Sequence, residues 1–145
     1  MTPADSSTTL LTVRRILFIV LLGGMVGTLT ELLLLDHVEE PMQLVPVVLL
    51  AVAVLAFGLQ ASLPARLWTR LFRATMVLFV AAGAVGIVLH YHGASEFQLE
   101  VDPTLKGAAL FWKSVRATAP PALAPASMTG LGLIGLAYMH VARRA

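Results

Sequence analysis

Residues 16–35 read ILFIVLLGGMVGTLTELLLL, a run of twenty residues in which Glu31 carries the one charge. Twenty residues of helix are about 30 Å long, which is the thickness of the hydrocarbon layer of a bilayer. The run follows Arg14 and Arg15 and ends at the polar segment DHVEEP at residues 36–41. These features predict a membrane-spanning helix over residues 16–35.

Three further apolar runs have the length of membrane spans. They cover residues 44–63, 71–91 and 122–141, and Pro46 falls in the first turn of the second run, where a missing N–H costs little. The sequence therefore predicts an all-α protein with four transmembrane helices in a single integral membrane domain, residues 1–145. Because the first run is longer than the apolar core of a signal peptide, and no small-x-small cleavage site follows it before the acidic loop, we expect an uncleaved anchor.

The composition agrees with a membrane protein. Of the 145 residues 58% are hydrophobic and 12% are charged, against about 25% charged in an ordinary soluble domain, and the mean hydropathy is +0.86. Because the chain has no cysteine, disulfides, thiolate metal ligands and cysteine nucleophiles are excluded. The pI of about 9.5 comes with a net charge of only +2, and the basic residues lie in short clusters beside the apolar runs. We therefore expect no nucleic-acid binding.

The basic residues are divided unevenly between the two sides of the predicted bundle. One side carries seven, Arg14, Arg15, Arg66, Arg70, Arg73, Arg143 and Arg144, and the other carries three, Lys106, Lys113 and Arg116. Arginine and lysine near span ends are retained on the cytoplasmic side, so this bias predicts that both termini are cytoplasmic. Eight of the ten basic residues are arginine, a usage typical of GC-rich bacterial genomes, and we expect the protein in the bacterial inner membrane.

Residues 93–119 form the one long segment between the predicted spans, on the outer side. Polar and apolar residues alternate in EFQLEVD at residues 96–102, which predicts an extended strand. Asp102 and Pro103 then suit the N-cap and first position of a short interfacial helix that carries Trp112. The residues expected to face a partner are Phe97, Leu99, Val101 and Trp112. The segment either seats the loop before the fourth span or binds a partner protein or a second copy.

Glu31 is the candidate ionisable group inside a predicted span. An acid within the hydrocarbon layer is costly to keep charged, and it is therefore a candidate proton carrier, cation ligand or interhelical hydrogen-bond partner. Glu31 also lies about one to two helical turns from the outer end of its span, close enough for the carboxylate to reach headgroup water. Both interpretations are open at this point.

Three of the four histidines fall on the predicted outer side, His37 after the first span and His90 and His92 at the end of the third. With Glu96 they form a candidate metal site, because imidazole and carboxylate groups together suit zinc, iron, copper or manganese. His90 and His92 are two residues apart, so a continuous helix would point them in opposite directions. The alternative is that all three are ordinary interfacial residues. His37 and His90 also have the depth of two axial haem ligands, but no other feature supports haem, and we expect no cofactor.

Small residues recur at four-residue spacing in the first and third spans. Gly23 and Gly27 form one such pair, and Ala82 and Gly86 form another. Such pairs allow two membrane helices to approach closely, either within one bundle or between two copies of the chain.

The sequence has no phosphate-binding glycine loop, no HExxH motif and no nucleophile elbow. We therefore expect a non-enzymatic accessory or structural component of the membrane that contacts lipid and a protein partner or a second copy. The alternative is a small oligomeric transporter or ion-handling protein that uses Glu31 and the outer histidine–acid cluster. A third hypothesis is a cofactor-carrying electron-transfer protein that uses His37 and His90.

Overall fold

The structure is a computed structural model that describes residues 3–63, 65–118 and 123–142. It is all-helical, with 85% of residues in helices and no strand within those ranges. The helices are α1 (Pro3–Leu34), α2 (Pro41–Ser62), α3 (Arg66–Val101), α4 (Gly107–Val115) and α5 (Ala126–Ala142).

Among the described residues three helices are long and apolar enough to cross a membrane, which indicates an integral membrane protein. The qualifying stretches are Ser7–Leu34, Pro41–Gln60 and Arg66–Val101. The spans predicted at 16–35 and 44–63 lie in α1 and α2 except for their last residues, and the span predicted at 71–91 lies in α3, which extends well beyond both predicted ends. At 36 residues α3 is about 54 Å long, more than a bilayer core requires.

The region of the fourth predicted span contains α5, a shorter apolar helix of 17 residues. It begins at Ala126 rather than at residue 122, after a turn at residues 123–125. Residues 119–122, where the predicted span opens, lie outside the described residues, as do Arg143 and Arg144.

The strand predicted over residues 96–102 is wrong, because α3 continues through this segment to Val101. Its backbone bonds stay within the helix, and the N–H of Asp102 still donates to the carbonyl oxygen of Gln98 at 2.9 Å. A lone strand would leave these groups without partners, whereas an extension of α3 satisfies them locally. The partner-facing set also loses its common face, since Phe97 and Val101 are four residues apart on a helix and Leu99 lies on the other side.

A short helix follows α3 as predicted, but the predicted start at Asp102 and Pro103 is wrong. The Asp102 carboxylate accepts hydrogen bonds from the Thr104 N–H at 3.1 Å and from the Thr104 hydroxyl at 2.6 Å. These bonds close a turn instead of capping a helix. α4 begins at Gly107, whose φ of +54° is a conformation that glycine adopts without strain.

The chain forms two compact units. Unit 1 is drawn from Met1–Val80 and Gly130–Ala145, and unit 2 from Ala81–Thr129. α1 and α2 belong to unit 1 and α4 to unit 2, while α3 and α5 each contribute residues to both.

An aromatic cluster lies in the core of unit 1. The ring of Phe57 is 4.8 Å from that of Phe18, 4.9 Å from that of Phe72 and 5.2 Å from that of Tyr138, measured between centroids. Phe57 therefore joins rings from four different helices. Buried side chains of Leu21, Met25, Leu50 and Met76 extend this core along the bundle.

Glycines allow the unit 1 part of α5 to pack closely on its neighbours. A Cβ on Gly132 would lie 2.7 Å from the carbonyl oxygen of Met76, and a Cβ on Gly24 would lie 2.5 Å from Cδ2 of Leu131. Of the predicted small-residue pair in α1, neither Gly23 nor Gly27 has a described atom within 4 Å of such a Cβ. The close approach in α1 is therefore made by Gly24, which the spacing argument did not select.

In unit 2, α3 packs against residues 125–129 and against α4. A Cβ on Gly83 would lie 2.9 Å from the carbonyl oxygen of Pro125, and one on Gly86 would lie 2.7 Å from the Pro125 ring. Gly86 thus allows a close approach of α3 to the turn before α5, rather than to a second helix. Ser95 and Ser114 form a buried side-chain hydrogen bond that joins α3 to α4.

Candidate functional site

A cleft in unit 2, the aromatic cleft, lies between the last turns of α3 and the exposed side of α4. Its volume is about 690 Å³. The described residues that line it are Phe97, Gln98, Ala109, Trp112, Lys113, Arg116, Ala117 and Thr118. Two of the four predicted partner-facing residues, Phe97 and Trp112, therefore share one surface. Leu99 and Val101 are not among the lining residues.

The aromatic cleft combines exposed rings with positive charge. Trp112 is 54% exposed and Phe97 is 50% exposed, although both are large apolar side chains. The guanidinium carbon of Arg116 lies 5.5 Å from the centre of the Trp112 ring, within the range of a cation–π contact. Lys113 and Arg116 are basic, and no acidic residue is among the described lining residues. The cleft thus presents an aromatic floor with a cationic edge.

The turn before α4 is held by Asp102. The hydrogen bond from the Thr104 hydroxyl is the main reason that the pKa of Asp102 lies below its ordinary value, the Thr104 N–H adds to it, and the positive charge of Lys113 makes a smaller contribution. A carboxylate that stays ionised keeps this turn closed, and the turn fixes where α4 begins.

A second cavity, the arginine cavity, lies in unit 1 and has a volume of about 490 Å³. Its lining residues are Arg14, Gln60, Ala65, Arg66, Thr69, Arg70, Arg73, Met139 and Ala142. Four of them are arginines from α1 and α3, and none is acidic. The side-chain oxygen of Gln60 is buried, and no described group hydrogen-bonds to it.

The positions of these arginines in the sequence predict an orientation in the membrane, but they do not predict that four of them line one cavity. The spacing of Arg66, Arg70 and Arg73 does predict a shared face, because residues four and three apart lie on the same side of a helix. The sequence does not predict that Arg14 and Gln60 line the same cavity, since this depends on how α1 and α2 pack beside α3.

Glu31, the candidate ionisable residue, lies in the last turn of α1, three residues before its end at Leu34, and is exposed. Its carbonyl oxygen accepts a hydrogen bond from the N–H of Leu35 at 3.0 Å. Within the described residues its carboxylate has no hydrogen bond or ion pair.

The candidate metal ligands are not assembled in the described part of the chain, where no three histidine, aspartate or glutamate side chains lie together. α3 runs without a break through His90 and His92, so the two imidazoles leave the helix in different directions. His92 and Glu96 are four residues apart and share a face. His37 lies in the turn after α1, in the other compact unit.

The chain matches no protein-family model, no curated protein and no solved structure.

Proposed function

We propose that this chain is a four-span, non-enzymatic accessory protein of the bacterial inner membrane, and that its aromatic cleft docks an acidic segment of a partner protein on the outer face. The observation that carries the proposal is the pairing of exposed Phe97 and Trp112 with Lys113 and Arg116 in one cleft.

The fourth span is supported by the packing of α5 in unit 1. Leu131 lies against Gly24, and Tyr138 lies 6.3 Å from Phe18 between ring centroids. Leu131 and Tyr138 are seven residues apart on α5, and their neighbours Gly24 and Phe18 are six residues apart on α1 in the opposite direction. The two distances along the helix axes are nearly equal, as expected for antiparallel helices that lie side by side. A helix that follows a membrane span in this way lies at the same depth as that span.

The length of α5 is compatible with a span. Its 17 residues are about 25 Å long, and a shortfall of about 5 Å is met by local thinning of the bilayer and by flanking residues that reach the interface. Four spans place both termini on one side, and the arginine-rich ends assign that side to the cytoplasm.

The composition of the aromatic cleft supports docking of a protein. Exposed tryptophan, phenylalanine and arginine are enriched at the centre of protein interfaces, where they supply most of the binding energy. Lys113 and Arg116 carry two positive charges with no acid among the described lining residues, which favours an acidic partner segment. The buried bond between Ser95 and Ser114 holds the two walls together, so the surface is preformed.

Photo-cross-linking in the native membrane tests the proposal. A photoreactive amino acid is placed at Ala109, which lines the cleft, and in a matched control at Leu99, which does not. We expect a protein adduct from position 109 whose cross-linked peptide is acidic, and none from position 99. The adduct should fall at least tenfold in Lys113→Glu/Arg116→Glu and persist in Lys106→Glu, since Lys106 is on the same segment but outside the cleft.

Two results would contradict the proposal. Adducts with phospholipid only, at both positions, would mean that α4 and the end of α3 are a membrane-seating element. A protein adduct that Lys106→Glu reduces as strongly as the double charge reversal would mean that the cleft does not recognise an acidic segment.

A further inference from the structure

The arginine cavity of unit 1 shares no lining residue with the aromatic cleft. Arg66, Arg70 and Arg73 approach it from one face of α3, and Arg14 approaches it from α1. Like charges gather at a cavity at the cost of mutual repulsion, which an anion in the cavity removes.

The four guanidinium groups are available to such an anion. Within the described residues none of them forms an ion pair or a hydrogen bond. Arg14, Arg66, Arg70 and Arg73 are all exposed, so an anion that approaches the cavity from outside can reach them. Guanidinium groups bind phosphate oxygens through two parallel N–H bonds, which selects phosphate over a spherical anion such as chloride.

The lining of the arginine cavity also contains Gln60, a hydrogen-bonding residue other than arginine. The side-chain oxygen of Gln60 is buried and accepts no hydrogen bond from a described group. A rotation of the amide towards the cavity brings this acceptor to a hydroxyl of the ligand, which satisfies it. The side chains of Met139 and Ala142 supply an apolar part of the lining next to these polar groups.

We infer that the arginine cavity binds the headgroup of an anionic phospholipid whose phosphodiester carries a hydroxylated substituent, as in phosphatidylglycerol. The phosphate is held by the arginines, and a headgroup hydroxyl donates to Gln60. Basic pockets between membrane helices at the cytoplasmic surface are the general form of such lipid sites, and the arginine-rich end of this bundle is the end assigned to the cytoplasm. The volume of about 490 Å³ lies within the range of small-ligand sites.

Native mass spectrometry of the full chain in a neutral detergent tests this inference with defined lipids. The wild-type protein is titrated with phosphatidylglycerol, with phosphatidylcholine, and with phosphatidylmethanol, which has the same phosphodiester charge but no headgroup hydroxyl. We expect phosphatidylglycerol to bind at least tenfold more tightly than phosphatidylcholine and severalfold more tightly than phosphatidylmethanol. Glycerol phosphate, the headgroup without acyl chains, should not displace the lipid at millimolar concentration.

Matched variants assign the binding to the cavity. Arg70→Gln/Arg73→Gln should weaken binding of phosphatidylglycerol at least tenfold, whereas Lys106→Gln, which removes a positive charge outside both the cavity and the aromatic cleft, should leave it unchanged. Arg70→Lys/Arg73→Lys keeps the charge and loses the paired donors, so we expect an intermediate loss, and this variant also controls for folding. Gln60→Leu should abolish the preference for phosphatidylglycerol over phosphatidylmethanol.

Three results would overturn the inference. The first is equal affinity for phosphatidylcholine and phosphatidylglycerol, and the second is an equal loss in Lys106→Gln and Arg70→Gln/Arg73→Gln. The third is displacement by glycerol phosphate, which would identify the ligand as a soluble phosphate compound rather than a lipid.

Discussion

Ser95 donates a hydrogen bond of 3.1 Å to the hydroxyl oxygen of Ser114, and both side chains are buried between α3 and α4. The Ser114 hydroxyl in turn donates to the carbonyl oxygen of Leu110 at 2.8 Å. The two serines therefore join α3 to α4 through consecutive hydrogen bonds. These bonds help to position α4, and with it Trp112, beside the end of α3.

Loss of the Ser114 hydroxyl should loosen α4. In Ser114→Ala the buried donor of Ser95 loses its acceptor, and an unsatisfied buried donor costs about 1–3 kcal/mol. Hydrogen exchange of the α4 amides in detergent or nanodiscs measures this directly, and we expect protection to fall by at least about fivefold. Ser95→Ala/Ser114→Ala removes both groups and should recover part of the protection. Equal exchange in wild type and Ser114→Ala would show that the bond does not hold α4.

The approach of α5 to α3 should depend on Gly132. A Cβ at this position would lie 2.7 Å from the Met76 carbonyl oxygen and 3.0 Å from Cβ of Phe79, so neither neighbour is a flexible chain end. Gly132→Ala should destabilise unit 1 by about 1–3 kcal/mol through overpacking. The matched control is Gly130→Ala, where no described atom lies within 4 Å and the helix gains about 0.5–1 kcal/mol of propensity.

Thermal denaturation in detergent, followed by size-exclusion chromatography of the folded fraction, compares the two glycine variants. Gly132→Ala should lose the folded peak at a lower temperature than wild type, and Gly130→Ala at an equal or higher temperature. The reverse order would mean that α5 does not pack on α3 through Gly132.

The carboxyl group of Asp102 should report the turn before α4. Its pKa lies below the ordinary value because of the bonds from Thr104, and Thr104→Val removes the stronger of them, so the pKa should rise towards that value. Thr104→Ser, which keeps the hydroxyl, should leave it low. A group with a lowered folded-state pKa stabilises the fold above its unfolded pKa of about 3.9 and loses that contribution as the pH falls through the folded-state pKa.

Carbon-13 NMR of labelled aspartate measures this titration in each variant. Exchange protection of residues near the turn should fall over the same acidic range in which the carboxyl group becomes protonated. An identical titration of Asp102 in wild type and in Thr104→Val would show that the hydroxyl does not bond to the carboxylate.

Length and apolar composition were sufficient to predict the first three spans, because a run of about twenty apolar residues has few other stable environments. The end of α3 was not predictable in the same way. EFQLEV at residues 96–101 alternates as a strand would, yet it continues α3, because a helix satisfies its own backbone and a single strand does not. The continuation of the preceding helix therefore determines the structure of this segment, although its local periodicity is that of a strand.

The candidate sites likewise combine features that the sequence predicts with features that depend on tertiary packing. Phe97 and Trp112 were predicted to face a partner and do line one cleft, but the approach of Phe97 to Trp112, Lys113 and Arg116 depends on how α4 packs on α3. The arginine cavity needed residues from α1, α2, α3 and α5 at once. Spacing within one segment indicates a shared face, and it contains no information on which distant segment covers that face.

The proposed topology makes a prediction about the C-terminus. A periplasmic reporter such as alkaline phosphatase fused after Arg144 should be inactive, and a fluorescent protein at the same point should be bright, because the proposed topology has both termini in the cytoplasm. The same phosphatase inserted between Thr104 and Leu105, in the turn before α4, should be active. An active phosphatase at the C-terminus would mean that the orientation is the reverse of the proposed one, or that one of the four proposed spans does not cross the membrane.

Glu31 separates the accessory function from the transporter alternative. It is exposed in the last turn of α1, and within the described residues its carboxylate bonds to no other group, so Glu31→Gln should change stability by less than about 0.5 kcal/mol. If the protein is an accessory subunit, the adduct at position 109 should keep its yield, and proteoliposomes of wild type and variant should move protons and cations no faster than empty vesicles. Glu39→Gln, a similar change in the adjoining loop, is the matched control. Cation or proton flux in wild type that Glu31→Gln abolishes and Glu39→Gln retains would contradict the accessory function, because a carboxylate used only at the interface has no role in a transport cycle.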